Sequence, residues 1–171
     1  MIWRVFRKGA PVAPADAAWW QAARAAEAAP SPDAIAALRA SLAVRAALSD
    51  ESERQLEMVD GLEQLAALAG TPPAALETQH RVIGSDTCHL AVPACWVGLT
   101  DEPGKLLLTS RRLIHVAGAV RAWPWHRIGG VDRTERALEV TILGAPDTVN
   151  LVCNSYGDAM AAAHLARRLQ R

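Results

Sequence analysis

The sequence predicts an α+β fold: an α-helical region over residues 1–80, then a run of antiparallel strands over 82–171 closed by one helix. Three observations predict it. Apolar residues recur at helical spacing through an alanine-rich stretch at 14–70. From about residue 83 the apolar period shortens to two, most cleanly at 137–143, where Leu138, Val140 and Ile142 share a face. A final amphipathic segment starts at Ser155.

The helical elements carry their own start and stop signals. Asp16 opens a first helix whose Trp19, Ala22, Ala23 and Ala26 lie on one side, and Pro30 ends it. Ser31-Pro32-Asp33 supplies a capping hydroxyl, a proline at the first helical position and an acid at the positive end of a second helix. Its apolar stripe is Ile35, Leu38, Leu42 and Ala46. Ser49 caps a third helix, striped by Met58, Val59, Leu62, Leu65, Ala66 and Ala69 and stopped by Gly70 and Pro72-Pro73. Gly61 inside it costs about 1 kcal/mol relative to alanine. Stripes rich in alanine bury little area, so these helices are expected to pack on the strand region or on another subunit.

Strands are predicted at 88–98, 104–109, 112–118, 120–124, 126–134, 137–143 and 148–153. Two apolar runs meet at Thr109-Ser110-Arg111-Arg112, as in a buried hairpin. Gly129-Gly130 reads as a bulge or turn, and 144–147 has turn chemistry. Ser155 with Asp158 resembles a capping box, and the last helix buries Ala161, Ala162, Leu165 and Leu169. Arg167 and Arg168 suit its negative end.

Composition excludes several classes. Lys+Arg and Asp+Glu are equal at 18 each, so no global field draws the chain to nucleic acid, and none is expected as a partner. Residues 1–80 carry 7 basic and 10 acidic side chains and residues 81–171 carry 11 and 8, a mild asymmetry of ordinary solvated surfaces. Cys88, Cys95 and Cys153 are odd in number and lack CxxC spacing, which points to reduced thiols in a cytoplasmic protein. The basic residues Arg4, Arg7 and Lys8 interrupt any secretory signal, and no window approaches a membrane span. His80, His89, His115, His126 and His164 show no ligand spacing, and no nucleophile elbow, phosphate loop or dinucleotide fingerprint occurs. No catalytic residue, metal site or cofactor is predicted.

The stretch Gly104-Lys-Leu-Leu-Leu-Thr-Ser-Arg-Arg-Leu-Ile-His resembles the G-x-L-x-L-T-(N/S)-x-R-L-(I/V) pattern of GRAM and bacterial pleckstrin-homology (PH)-like domains. Trp123-Pro124-Trp125, followed by Ile128 and Val131, is similar to their I-P-L…I…V segment. The resemblance covers residues 82–171, and residues 1–80 match no family. It implies a bent antiparallel barrel with one end plugged by the C-terminal helix, and a domain that binds lipids, peptides or proteins, or self-associates.

Ligand contact is assigned on this basis to Lys105, Arg111, Arg112 and Arg121, with Arg112 at the family's arginine. Lipid-binding PH domains place basic residues around the first hairpin loop. Here that loop, 98–105, carries Asp101 and Glu102 beside a lone Lys105, the wrong sign for phosphates. The plainer role of Arg112 is to bond turn carbonyls and cover apolar surface with its stem. Interface candidates are Trp3 and Phe6 on a short basic arm, the adjacent Trp19 and Trp20, which point about 100° apart on a helix, and Trp123 on a strand rim. The expected function is a non-enzymatic adaptor that binds a protein partner or a second copy of itself. A peripheral sensor of anionic lipid is the first alternative, and an enzyme whose site forms only on folding is the second.

Overall fold

The computed structural model describes residues 14–44, 49–68, 71–78, 80–98 and 101–171. The arm bearing Trp3 and Phe6, and the Gly70 stop, lie outside them. Three helices come first: α1 (Pro14–Ala28), α2 (Pro32–Ala43) and α3 (Asp50–Leu68). Seven strands follow: β1 (Cys88–Val97), β2 (Glu102–Thr109), β3 (Arg112–Val116), β4 (Val120–Pro124), β5 (Ile128–Thr134), β6 (Ala137–Ile142) and β7 (Thr148–Cys153). The helix α4 (Tyr156–Leu169) closes the order.

The predicted caps form. The Ser31 hydroxyl accepts from Ala34 N at 3.2 Å, and the Ser155 hydroxyl accepts from Asp158 N at 3.0 Å. Ser49 and Ser52 cap each other: Ser52 N donates to Ser49 Oγ at 3.1 Å and Ser49 N donates to Ser52 Oγ at 2.6 Å. Helix α1 starts two residues before Asp16, at a proline, which the first helical turn accepts because its missing N–H has no partner there.

All strand pairs are antiparallel, in the order β4-β3-β2-β1-β7-β6-β5. The register shifts between Ile128 and Gly130, the bulge expected at the glycine pair. The strand expected at 126–134 begins later, because Trp125–Arg127 forms a 3-10 turn. Trp123 is on β4, whereas Trp125 stands in this turn. Its backbone N–H donates to Arg111 O at 3.1 Å and its ring Nε1–H to Thr109 O at 2.9 Å, pinning the corner between β4 and β5. Strand β2 starts earlier than expected, at Glu102. β3 stops at Val116, where the Ala117 N–H turns to Ala119 O at 3.1 Å.

Three residues of the motif at 104–112 are built into the fold. A Cβ on Gly104 would collide with Val116 O, so only glycine lets β2 and β3 approach there. The buried Thr109 hydroxyl accepts from Arg111 N at 3.3 Å and Arg112 N at 3.1 Å and donates to Arg112 O at 2.9 Å. Arg112 Nε donates to Asp86 Oδ2 at 2.8 Å, and the Asp86 side chain is 4% exposed.

Inward side chains of the strands meet in one core with α4: Leu106, Leu108, Leu113, Val131, Leu138, Val140 and Leu151 against Ala159, Ala162, Leu165 and Ala166. A second core joins Trp19, Ala23, Ile35, Leu38, Met58, Val59, Leu62 and Leu65 to Tyr156 and Met160. Helix α4 is thus covered on both sides, by the sheet and by α3, rather than on the single face predicted. Its many small residues follow from that position. Gly61 and Gly157 mark the closest crossing: a Cβ on Gly61 would stand 3.0 Å from the Gly157 backbone. Behind β2 and β3, a third cluster of Ile83, Cys88, Leu107 and Ile114 buries the outer face. Arg133 pairs with Glu27 and Arg136 with Glu57, and Glu57 Oε1 also accepts from Tyr156 N at 2.9 Å, fastening the helices to the β5–β6 turn. Among the described residues no helix is long and apolar enough to cross a membrane.

Candidate binding surface at the edge of the sheet

The two edges of the sheet differ. Along β5, Arg167 Nε donates to Val131 O at 3.0 Å and Gln170 Nε2 donates to Ile128 O at 2.5 Å, so the last turn of α4 covers carbonyls of the outer side. Strand β4 pairs with β3 on one side only, from Val116↔Val120 to Arg112↔Pro124. No described residue hydrogen-bonds its other side. Val120 is 53% exposed, and Ala122, on the same face by strand alternation, is exposed too. An edge of this kind offers unpaired backbone donors and acceptors.

The opposite face of β4 carries Arg121 and Trp123, which join a cluster at the mouth of the sheet. The Arg121 guanidinium lies 4.1 Å from the centre of the Trp96 ring and pairs with both Glu102 oxygens, at 2.6 and 3.2 Å. Trp123 meets Trp96 edge-on at 5.6 Å, and Trp96 meets His115 at 6.2 Å. The hydrogen bond from Arg121 holds the Glu102 carboxyl below its ordinary range, and Glu102 raises Arg121 in turn. His115 is fully buried; its Nε2 lies 3.3 Å from Ala94 O, and its Nδ1 has no partner. Burial lowers its pKa, with Arg121 adding to the effect.

Of the basic candidates, Arg111 and Arg112 come together at Asp86, and Lys105 and Arg121 stand apart from them. Arg112 and Arg121 are each held by a carboxylate, Arg112 with further bonds to Val82 O and Ile83 O at 3.5 and 3.4 Å. Arg111 is 72% exposed and 3.6 Å from Asp86, and Lys105 is exposed on β2, opposite Pro93 and Val116. Trp19 is buried in the helical core, and its ring N–H donates to Ser41 Oγ at 3.1 Å. Trp20 is half-buried and donates to Glu51 Oε1 at 2.5 Å. Trp123 is half-buried on the rim, and Trp3 and Phe6 are outside the described residues. Trp96 escaped the sequence reading, and Glu102 entered it only as a loop charge. They pair across β1 and β2, a signal that exists only once the hairpin register is known. Among the described residues no three His, Cys, Asp or Glu side chains gather as metal ligands would.

No family model matches the chain, and no curated protein sequence matches it. Several solved structures are similar to parts of it. One is the C-terminal domain of an unknown protein from Leishmania infantum: 18% identity, 53% of this chain and 91% of that one, TM-score 0.46. Another is the DH/PH domain of human ARHGEF11 in a ternary complex with RhoA and its inhibitor: 13% identity, 80% of this chain and 51% of that one, TM-score 0.46. A third is the linker-DH/PH fragment of p115-RhoGEF: 10% identity, 71% of this chain and 44% of that one, TM-score 0.44. The chain spans about half the length of the DH/PH chains it resembles. These are likenesses of chain path alone, and the RhoA complex is a property of the protein named with it.

Proposed function

We propose that this chain is a non-enzymatic binding module of PH-like type, which takes an extended segment of a protein partner as an added strand along β4. The observation that carries the reading is the asymmetry of the two edges, β5 covered by Arg167 and Gln170 and β4 left bare. Main-chain hydrogen bonds along β4 supply affinity, and alternate side chains of the added segment contact Val120 and Ala122 on one face and the Trp123 rim on the other. The lipid-sensor alternative has weaker support, because Arg112 and Arg121 are already paired with the carboxylates of Asp86 and Glu102.

The test is selection of a displayed library of linear peptides against the full chain. Enriched peptides are expected to slow amide exchange at 120–124. They are expected to bind at least tenfold more weakly once Val120→Lys and Ala122→Lys are introduced together, since lysines on an edge oppose strand addition. Failure to enrich any peptide, or peptides indifferent to that pair of changes, overturns the reading. Turnover of a substrate from a broad hydrolase and transferase panel overturns its non-enzymatic part.

A further inference from the structure

Four elements distant in sequence meet at a cleft of about 470 Å³, within the range of pockets that hold small organic molecules. Helix α1 contributes Trp20 and Arg24, α3 contributes Arg54 and Met58, the β5–β6 turn contributes Glu135, and α4 contributes Tyr156. No residue of β4 lines it, so the cleft stands apart from the edge surface.

Its floor is apolar and aromatic. Met58 and Tyr156 are buried, and the Trp20 ring lies 5.8 Å from that of Tyr156, tilted by 34°. Its wall is cationic, and the arginines differ in how firmly they are held. Arg133, on the same wall, is locked by Glu27 and serves the fold. Arg24 donates to the Trp20 carbonyl of its own helix at 3.4 Å, and no carboxylate among the described residues pairs with it. Arg54 meets Glu51 only at 3.6 Å, while the other oxygen of Glu51 is engaged by the Trp20 ring N–H. The Arg54 guanidinium stands 5.9 Å from the centre of the Trp20 ring. Its Nε is buried and makes no hydrogen bond.

We propose that the cleft binds a phosphate monoester carried on an apolar or aromatic body. The dianionic phosphate accepts from the guanidinium forks of Arg24 and Arg54, which match its charge and its spread of oxygens. The ester's body lies against the half-buried Trp20 ring, which Met58 and Tyr156 back from beneath. Glu135 lines the same cleft and opposes ligands that carry more negative charge than the two arginines neutralise.

The experiment is a titration of the full ¹⁵N-labelled chain with phenyl phosphate, read at the Trp20 indole and at the Nε–H signals of Arg24 and Arg54. Saturable shifts confined to these groups are expected, with binding at least tenfold weaker in Arg24→Gln and unchanged in Arg111→Gln. Arg24 is exposed and holds no other element, so its replacement leaves the fold intact. Inorganic phosphate is expected to bind at least tenfold more weakly, because it lacks the body, and benzoate more weakly because it lacks the second charge. Shifts that never saturate or that extend equally to Arg111 overturn the proposal, as does unaltered binding in Arg24→Gln. Equal affinity for inorganic phosphate removes the role of the apolar floor, and equal affinity for benzoate removes the preference for phosphate.

Discussion

A buried histidine with one unpartnered nitrogen sets a pH limit on this fold. His115 is fully buried, and His164 Nε2 is also buried without a partner. Burial depresses both pKa values, and Arg167 and Arg168 add to the effect at His164. A histidine whose folded pKa lies below the ordinary 6.5 stays neutral in the native state while the unfolded chain takes up the proton. Its neutral form supports the fold fully above pH 6.5, and that support is lost as pH falls through the folded value. Urea midpoints measured from pH 8 downward are expected to hold level and then to drop below about pH 6.5, with a shallower drop in His115→Gln. Asp158, raised by burial, acts in the opposite sense and closer to its own ordinary 3.8, so the two limbs separate. A midpoint that stays level from pH 8 to pH 5.5 would contradict this account.

Among the elements, the crossing of α3 and α4 is the tightest joint, and two glycines make it. A side chain at Gly61 has no room, since its Cβ meets backbone of α4 at 3.0 Å. A methyl at Gly157 meets Gln64 Oε1 at 2.6 Å, the tip of a flexible side chain that can turn away. Gly61→Leu is therefore expected to destabilise by about 1–3 kcal/mol through overpacking, although leucine is the better helix former by nearly 1 kcal/mol. Gly157→Ala is expected to stay within about 0.5 kcal/mol of the parent. Chemical denaturation of both variants checks the pair, and equal effects would refute the joint. The elements themselves were legible in the sequence, because caps such as Ser31, Ser49 and Ser155 and alternation such as Leu138-Val140-Ile142 are local. Gly61 reads locally as a defect, and its purpose appears only when a distant helix is laid on it. The Gly104, Thr109 and Arg112 motif was legible as a pattern, but its partner Asp86 stands 26 residues away and no spacing announces it. The turn at Trp125 was not legible, because it rests on bonds to Thr109 and Arg111, which only the folded hairpin brings near. The cleft was not legible at all, since Arg54 and Tyr156 meet only after α4 is placed between two layers.

At the scale of the whole molecule, three buried thiols, all on β1 and β7, report on the integrity of the sheet. Cys88, Cys95 and Cys153 are all buried and unpaired, and burial pushes the Cys153 thiol up to about 12 and the other two upward. A thiolate is the reactive form, so folded protein is expected to show no fast reaction with Ellman's reagent, and all three thiols should appear together across the urea transition. A thiol that reacts at once in buffer would reveal a local opening in the sheet.

Residues 19–65 and residues 92–153 each finish their packing on the same short segment, 156–166. A ribosome working at roughly 5–20 residues per second delivers that segment after both layers that need it. Until that segment has left the ribosome, the nascent chain holds two half-built apolar surfaces, and its folded yield is expected to depend on what shields them.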